Sequence, residues 1–334
     1  MIVFCTTSSQ YGGVARVQQH IREYLHDSGL KYIELSYNPK SLRLLNQVRF
    51  IRKLRQVIKG ADYLIFSHPH LFRAMDFIPS KTFSTIVFTH GLELYKAGPE
   101  SVSNLLKDVN LVVTNSKFNE NWLKSKANLS NVQSVYYPGL KFSLNSNPKG
   151  NQVLCVSRMM KTEEYKGHRK LIEAWEQVAK EIPDSSLLFC GKGDLVQDLK
   201  DLVSNLNLDE SITFTGYVSD LELIDLYQQS SVFAMPSLGE GQGLVWLEAM
   251  QAGLPIIAAS DTVAEEFVTD GEHGILVSKN FTKEELASAI IKALNDKNWR
   301  NKVRKANSER VKDLSIADNF NSFMDESLNV EGVA

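Results

Sequence analysis

The chain has 334 residues, 43% hydrophobic, 23% charged and 9% aromatic, with 19 Gly, 9 Pro and 3 Cys. That apolar content excludes a disordered chain and the cysteine count excludes a disulfide framework; a single core stops growing at roughly 250–300 residues, so two domains are expected. The net charge of -2 conceals an asymmetry: residues 1–142 carry 18 Lys and Arg against 9 Asp and Glu, and the remainder 19 against 30, a division independent of length.

Short β-branched runs alternate with helical patterns, the signature of βαβ units and a parallel sheet. In the first half, strands are expected at Ile2–Cys5, Tyr32–Leu35, Tyr63–Phe66, Thr85–Phe88, Leu111–Thr114 and Val132–Tyr136, with helices such as Ala15–His26, Leu42–Lys59 and Lys117–Ala127 between them. The segment FSLNSNPKGN, Phe142–Asn151, reads as a linker. The alternation restarts with Val153–Val156, Ser186–Cys190, Ser211–Phe214, Val232–Met235, Pro255–Ala258 and Ile275–Val277, and with helices His168–Lys180 and Leu244–Ala252. Polar helices over Lys283–Leu294 and Trp299–Leu328 form a closing layer. Six strands in each half imply an α/β protein of two Rossmann-like, doubly wound domains facing one another across a cleft. Their expected limits are 1–142 and 152–314, with a linker over 143–151 and a C-terminal helix over 315–334 available to pack back on the first domain. Cys5, Cys155 and Cys190 each end an apolar run and read as buried free thiols of a reducing compartment. No run approaches the about 18 apolar residues of a membrane span, and the opening MIVFCTTSSQYGG lacks the features of a signal peptide. A soluble, cytoplasmic protein is expected.

In open α/β sheets ligands bind outside the carboxyl ends of the strands, so the turns there carry the chemistry. Gly12-Gly13 follows the first strand and precedes a helix, as a tight turn or as a place where backbone approaches a ligand. His90 lies just beyond the end of another strand, in VFTHGLE, and His68 and His70 follow a third; a lone His of this kind is either structural or part of a site. The scattered cysteines and histidines do not make a zinc site. In VSRMMKTEEYKG, Arg158 stands at a strand end and Lys166 just before a helix. They are either surface charges or fixed cations for an anion. LLFCGKGD supplies Gly191 and Gly193, with Val196 where a dinucleotide fingerprint has its third glycine. In MPSLGEGQGLVWLEAMQAGL a glycine-rich turn ending at Gly243 opens a helix at Leu244 and Val245, whose first free N–H groups favour a phosphate. Glu240 lies in that turn and Glu248 eight positions on, among Leu, Trp and Met. Glu248 either sits on a solvated face or is buried against hydrogen-bond donors, of which ribose hydroxyls are one kind.

This last segment resembles the E-x7-E region of GT-B-fold, retaining glycosyltransferases of family four (glycosyl transferases group 1). Glu240 and Glu248 match its two glutamates, and Ala249-Met250 and Gly253-Leu254-Pro255 match the residues beyond the second glutamate, with Gln242 where Phe is usual. The resemblance implies that Glu248 binds the nucleotide ribose. Arg158, Lys166 and the amides near Gly243, Leu244 and Val245 would neutralise the donor diphosphate, with Gly191 in the turn after the second strand. Glu240 and His90 would position the donor sugar, and Gly12-Gly13 would reach the donor from the first domain. No Asp-x-Asp occurs in the chain, in keeping with transfer that needs no metal and no cofactor, the nucleoside diphosphate sugar being a co-substrate.

Leu42–Lys59 places six apolar residues at helical spacing, with basic residues filling the other positions. The apolar stripe can serve only one partner; packing against its own sheet is the favoured reading, with the basic face left for an anionic membrane. The resulting expectation is a hexosyltransferase that moves sugar from a nucleoside diphosphate to a glycan or lipid-linked acceptor in cell-surface glycoconjugate synthesis, peripheral to the inner face of the membrane. Nucleic acid is disfavoured by the acidic overall balance. The alternatives are a GT-B protein that binds or epimerises a nucleotide sugar, and an NAD-dependent dehydrogenase, for which the complete glycine fingerprint is missing.

Overall fold

The computed structural model describes residues 1–8, 13–38, 43–78, 82–137, 139–140, 148, 150–314 and 316–329. They form two compact units, one of Met1–Tyr137 with Ile316–Ala334 and one of Pro138–Ser315. The first unit holds β1 (Ile2–Thr7), α1 (Gly13–Asp27), β2 (Tyr32–Tyr37), α2 (Arg43–Val57), β3 (Tyr63–Phe66), α3 (Pro69–Phe72), β4 (Ser84–Phe88), α4 (Leu92–Ala97), α5 (Pro99–Leu106), β5 (Leu111–Thr114), α6 (Lys117–Ser125) and β6 (Val132–Ser134). The second holds β7 (Asn151–Val156), α7 (His168–Glu181), β8 (Ser185–Cys190), α8 (Val196–Asn205), β9 (Ile212–Gly216), α9 (Asp220–Gln229), β10 (Val232–Ala234), α10 (Leu244–Gln251), β11 (Ile256–Ala259), β12 (Gly274–Val277), α11 (Lys283–Asn295) and α12 (Lys297–Asp313). Helix α13 (Ile316–Ser327) returns the chain to the first unit.

Each unit is built on one six-stranded sheet, ordered β2-β1-β3-β4-β5-β6 and β12-β11-β10-β7-β8-β9, with every strand pair parallel. Strands covered by helices on both faces read as unbroken apolar runs, and the central ones (Val3, Phe4 and Cys5; Leu64, Ile65 and Phe66; Val153 and Leu154; Val232 and Phe233) have no exposed surface or almost none. The order reverses between β1 and β3 in one sheet and between β7 and β10 in the other, so each sheet has a topological switch point. The three cysteines are free and buried, and burial pushes the Cys155 thiol up to about 12. No helix among the described residues is long and apolar enough to cross a membrane.

Three expectations are corrected. Most of the 143–151 linker lies outside the described residues, but its last residue, Asn151, opens β7. The single helix Trp299–Leu328 is two helices that serve different units. In α12 the buried Asn307 donates to the carbonyls of Leu254 and His273. In α13 and the turn after it, Phe320, Met324 and Leu328 turn one face inward at i, i+4 spacing. There the Tyr24 hydroxyl donates to Asp325 at 2.5 Å and Phe320 meets Tyr137 edge-on. Nor does α2 pack its whole apolar set inward. At 3.6 residues per turn Phe50, Ile51 and Leu54 share one face, while Leu45 and Val48 fall on the other side; Phe50 and Leu54 are buried, and Leu45 and Val48 are 53% and 60% exposed.

The edge strand β6 is tied to α6 by one carboxylate. Glu120 accepts from the Ser134 hydroxyl at 2.5 Å and its amide at 3.1 Å, and pairs with Lys117 and Lys124 at 2.9 and 2.6 Å. Burial works to raise its pKa, but these donors together hold it down to about 2. Glu120→Gln should therefore cost about 2 kcal/mol at neutral pH, the usual scale for hydrogen bonds to a charged group. The depressed pKa makes this contribution complete above the ordinary value of 4.5 and progressively lost as pH falls towards 2. Urea unfolding of both proteins across that window measures the closing gap.

Candidate functional site

The second unit gathers its chemistry at the carboxyl ends of β7 and β10, the two strands that flank its switch point. After β7 the chain runs through Ser157 and Arg158 into a short 3₁₀ segment, Lys161–Lys166, which Gly167 ends with φ of 80° before α7 begins. After β10 it runs through Pro236 and Ser237 to Glu240 and then to Gly243, which caps α10 with φ of 77°. The two turns are joined directly. Lys166 Nζ stands 2.6 Å from Glu240 Oε1, with side chains only 9% and 14% exposed. The Ser237 hydroxyl donates to the same carboxylate oxygen at 3.2 Å, and the Leu238 amide donates to the Tyr165 carbonyl.

Arg158 is more exposed and pairs with Glu163 at 2.5 Å. Just before it, the Ser157 hydroxyl lies 2.5 Å from His168 Nε2. Burial, assisted by the Lys166 charge, pushes the His168 imidazole down to about 4, so it is neutral near pH 7 and holds the Ser157 hydroxyl without adding charge. The β8 turn closes over this strand end. The backbone of Ser157 donates to Cys190 and that of Met159 to Lys192. A side chain on Gly191, whose φ is +137°, would place its first carbon 2.0 Å from the Ser157 carbonyl oxygen. Only glycine fits so close a backbone approach.

Glu248 is 1% exposed, so of the two readings its spacing allowed, the solvated face is excluded. It lies on α10 among Trp246, Leu247, Ala249 and Met250, all buried. The Tyr227 hydroxyl donates to its Oε2 at 2.9 Å and the Leu140 amide to its Oε1 at 3.2 Å. Leu244 and Val245 form the first turn of the same helix, half-buried, with Gly243 and Gln242 buried beneath them.

His90 and Gly13 belong to the other unit. His90 follows β4; its Nε2 lies 2.7 Å from the Ser67 carbonyl oxygen, which can only accept, so that nitrogen carries the proton. Its ring is 5.8 Å from that of His68, which stacks on His70 at 4.9 Å. Burial, and then the neighbouring His90 and His70, push the His68 imidazole down to about 3. Across the switch point of this sheet the Gln18 amide spans the hydroxyls of Thr7 and Ser67 at 2.8 and 3.1 Å. Gly13 opens α1, and a side chain there would meet nothing within 4 Å. Gly12 lies outside the described residues. Among the described residues no group of three or more His, Cys, Asp and Glu is arranged to hold a metal ion.

The profile of the family described as Glycosyl transferases group 1 matches residues 138–310, just over half of the chain and nearly all of the second unit. The chain belongs to this family. An uncharacterized glycosyltransferase of Haemophilus influenzae is 30% identical over 176 residues, which are 52% of this chain and 48% of that protein. The GDP-mannose-dependent alpha-(1-6)-phosphatidylinositol monomannoside mannosyltransferase of Mycolicibacterium smegmatis is 33% identical over 132 residues, 37% of this chain and 34% of that one. The chain thus spans half or less of the length of these curated relatives. Among solved structures, the sucrose-phosphate synthase of Thermosynechococcus elongatus superposes with a TM-score of 0.83 at 19% identity, covering 99% of this chain and 100% of that one. HepE of Anabaena in complex with UDP superposes at 0.78 and 19% identity, covering 98% and 99%. These likenesses establish the GT-B fold for this group 1 chain.

The family motif thus brings Lys166 to Glu240 and sets Gly191 against Ser157, whereas Arg158 and Glu248 find partners that sequence reasoning did not nominate. Glu163 lies within a run of charges that reads as solvated, and Tyr227 within the apolar period of α9, so neither carries a signal beyond its helix pattern. Gly191→Ala should push the β7 and β8 turns apart and lower stability by on the order of 3 kcal/mol, the scale of a backbone overlap that cannot relax. Urea unfolding measures this, and an unchanged midpoint would mean that the two strand ends are not held together.

Proposed function

We infer that the chain transfers a hexose-type sugar from a nucleoside diphosphate to a hydroxyl of a glycan or lipid-linked acceptor, with retention at the anomeric carbon and without a metal ion. One observation carries the reading: a nearly buried Lys–Glu pair links the two turns at the switch point. Desolvating two charges offsets most of their attraction, so such a pair is a poor stability device. Its position, where open α/β sheets bind ligands, supports a chemical role.

In this reading Arg158 and Lys166 supply the positive charge that a departing nucleoside diphosphate requires, aided by the amides of Gly243, Leu244 and Val245 at the start of α10. Glu240, held by Lys166 and Ser237, presents its second carboxylate oxygen to the sugar hydroxyls. Glu248 is an acceptor fixed in a helix, suited to the vicinal hydroxyls of a ribose, and Tyr227 keeps it oriented. The bond between the anomeric carbon and the β-phosphate oxygen breaks. The acceptor oxygen bonds to that carbon on the same face, and its proton passes to a diphosphate oxygen. The GDP-mannose and phosphatidylinositol monomannoside named for one relative and the UDP named for a structural neighbour support a UDP- or GDP-hexose donor and a glycan or lipid acceptor.

A panel of UDP-, GDP- and ADP-hexoses, assayed for product with EDTA present, tests this. Turnover should survive chelation and the product should keep the donor's anomeric configuration by NMR; an inverted product or a metal requirement overturns the mechanism. Arg158→Ala should lower kcat by about 10²–10³, as expected for loss of a transition-state charge partner. Glu248→Gln should weaken nucleotide binding roughly tenfold with the fold intact, the scale of one charge-assisted hydrogen bond. Unchanged affinity in calorimetry would remove the ribose assignment.

A further inference from the structure

A second binding feature lies in the first unit. Between α2 on one side and α3 with the 3₁₀ turn Arg73–Phe77 on the other runs a groove of about 940 Å³, near the top of the range of small-molecule sites, roughly 300–1,000 Å³. Its apolar wall is made by Ile51, Leu71 and Ala74. Its rim is Val48 and Phe77, 60% and 55% exposed. Four cations enter it, Arg52, Arg55 and Lys59 from α2 and Arg73 from the facing wall, against the single carboxylate of Asp76.

Arg55 is engaged within the protein, because its guanidinium donates to the Phe77 carbonyl at 2.6 and 3.1 Å and fastens the helix to the opposite wall. Arg52, Lys59 and Arg73 make no side-chain hydrogen bond or ion pair with any described residue. An apolar wall beneath unpaired cations matches an amphiphile with an anionic head. A free anion would leave the wall and the exposed Val48 and Phe77 in water. A neutral lipid would leave three cations without a counter-charge. Leu45, 53% exposed one turn before Val48, extends the apolar rim along α2.

We propose that this groove binds one anionic phospholipid drawn from a bilayer, its phosphate against Arg52, Lys59 and Arg73 and the upper part of an acyl chain along Ile51, Leu71 and Phe77. The site is separate from the nucleotide-sugar reading of the second unit and stands or falls without it, because lipid binding and nucleotide binding are read independently.

The test uses the full chain and dihexanoylphosphatidylglycerol below its micelle concentration, so that no membrane surface contributes. Calorimetry should show binding, with dihexanoylphosphatidylcholine, glycerophosphate and inorganic phosphate each weaker by roughly tenfold or more, since each lacks either the net negative charge or the acyl chains. The double variant Arg52→Glu/Arg73→Glu should lose binding by at least that factor. Arg49→Glu/Lys53→Glu, the same charge change on exposed residues of α2 that do not line the groove, should lose clearly less, since these heads stand in solvent outside the groove, where water and salt weaken their pull on the phosphate. Co-sedimentation with phosphatidylglycerol vesicles should give the same order of variants. Equal loss in both double variants would mean diffuse attraction of a basic helix, equal binding of inorganic phosphate would mean a plain anion site, and no binding by the wild type would leave the groove without this ligand; each of these overturns the proposal.

Discussion

The Lys166–Glu240 pair joins two segments that are 74 residues apart in sequence but adjacent at the switch point of a parallel sheet. Parallel strands deliver their turns to the same edge, and reversal of strand order leaves a gap there that helices do not fill. In this chain the gap is bridged by an ionic contact with little access to water. The charges constrain one another: Lys166 cannot swing to solvent without leaving Glu240 uncompensated, and Glu240 cannot leave without exposing a desolvated cation. Everything else at the carboxyl edge is arranged around that constraint. Gly167 and Gly243 supply the left-handed backbone that starts the following helices close to it. Gly191 lets the neighbouring turn close over Ser157, and His168, kept neutral by burial, braces the Ser157 hydroxyl.

Glu248 follows the same logic inside a helix. A carboxylate buried among apolar side chains is tolerable only when donors replace water, and here they come from a neighbouring helix through Tyr227 and from the backbone of Leu140. Two carboxylates eight residues apart thus have different partners, Glu240 the Lys166 cation and Glu248 a tyrosine hydroxyl and a backbone amide.

Much of this was legible in the sequence, for reasons that particular residues make plain. The central strands appear as short apolar runs because a parallel sheet covered on both faces leaves no polar alternation there, while the partly exposed edge strands β2, β6 and β9 carry polar residues between their apolar ones. Their ends are less legible: β6 stops at Ser134 rather than Tyr136, although the Val135 amide still donates to the Thr114 carbonyl of β5. The break between α12 and α13 was hidden, since no Gly or Pro occurs between Lys297 and Ser327 and the helix period alone does not reveal that Asn307 and Phe320 face different units. The burial of Glu248 was half visible in LVWLEAM, where a charge interrupts an apolar stretch. Tyr227 and Glu163 were invisible, because a side chain that matters only through its tertiary neighbour has no local pattern to betray it.

The charge asymmetry between the halves takes on a structural meaning when the cations are followed one by one. In the second unit the cations at the carboxyl edge are matched by carboxylates within the unit, Arg158 by Glu163 and Lys166 by Glu240. In α2 of the first unit the helix carries no acidic residue, and among its groove-facing cations only Arg55 bonds to a described residue. The phase of the helix explains why the unmatched charges collect there. With Phe50 and Leu54 committed to the core and Ile51 packed against it, Leu45 and Val48 fall on the outer side, and Arg and Lys stems lie beside them with their heads in water. An α2 of ordinary composition would cover such a face with mixed charges of both signs, which repel neither water nor neighbours. Exposed Val48 and Phe77 instead stand beside the guanidinium groups of Arg52 and Arg73, a surface whose chemistry is complementary to a phosphate joined to a hydrocarbon chain.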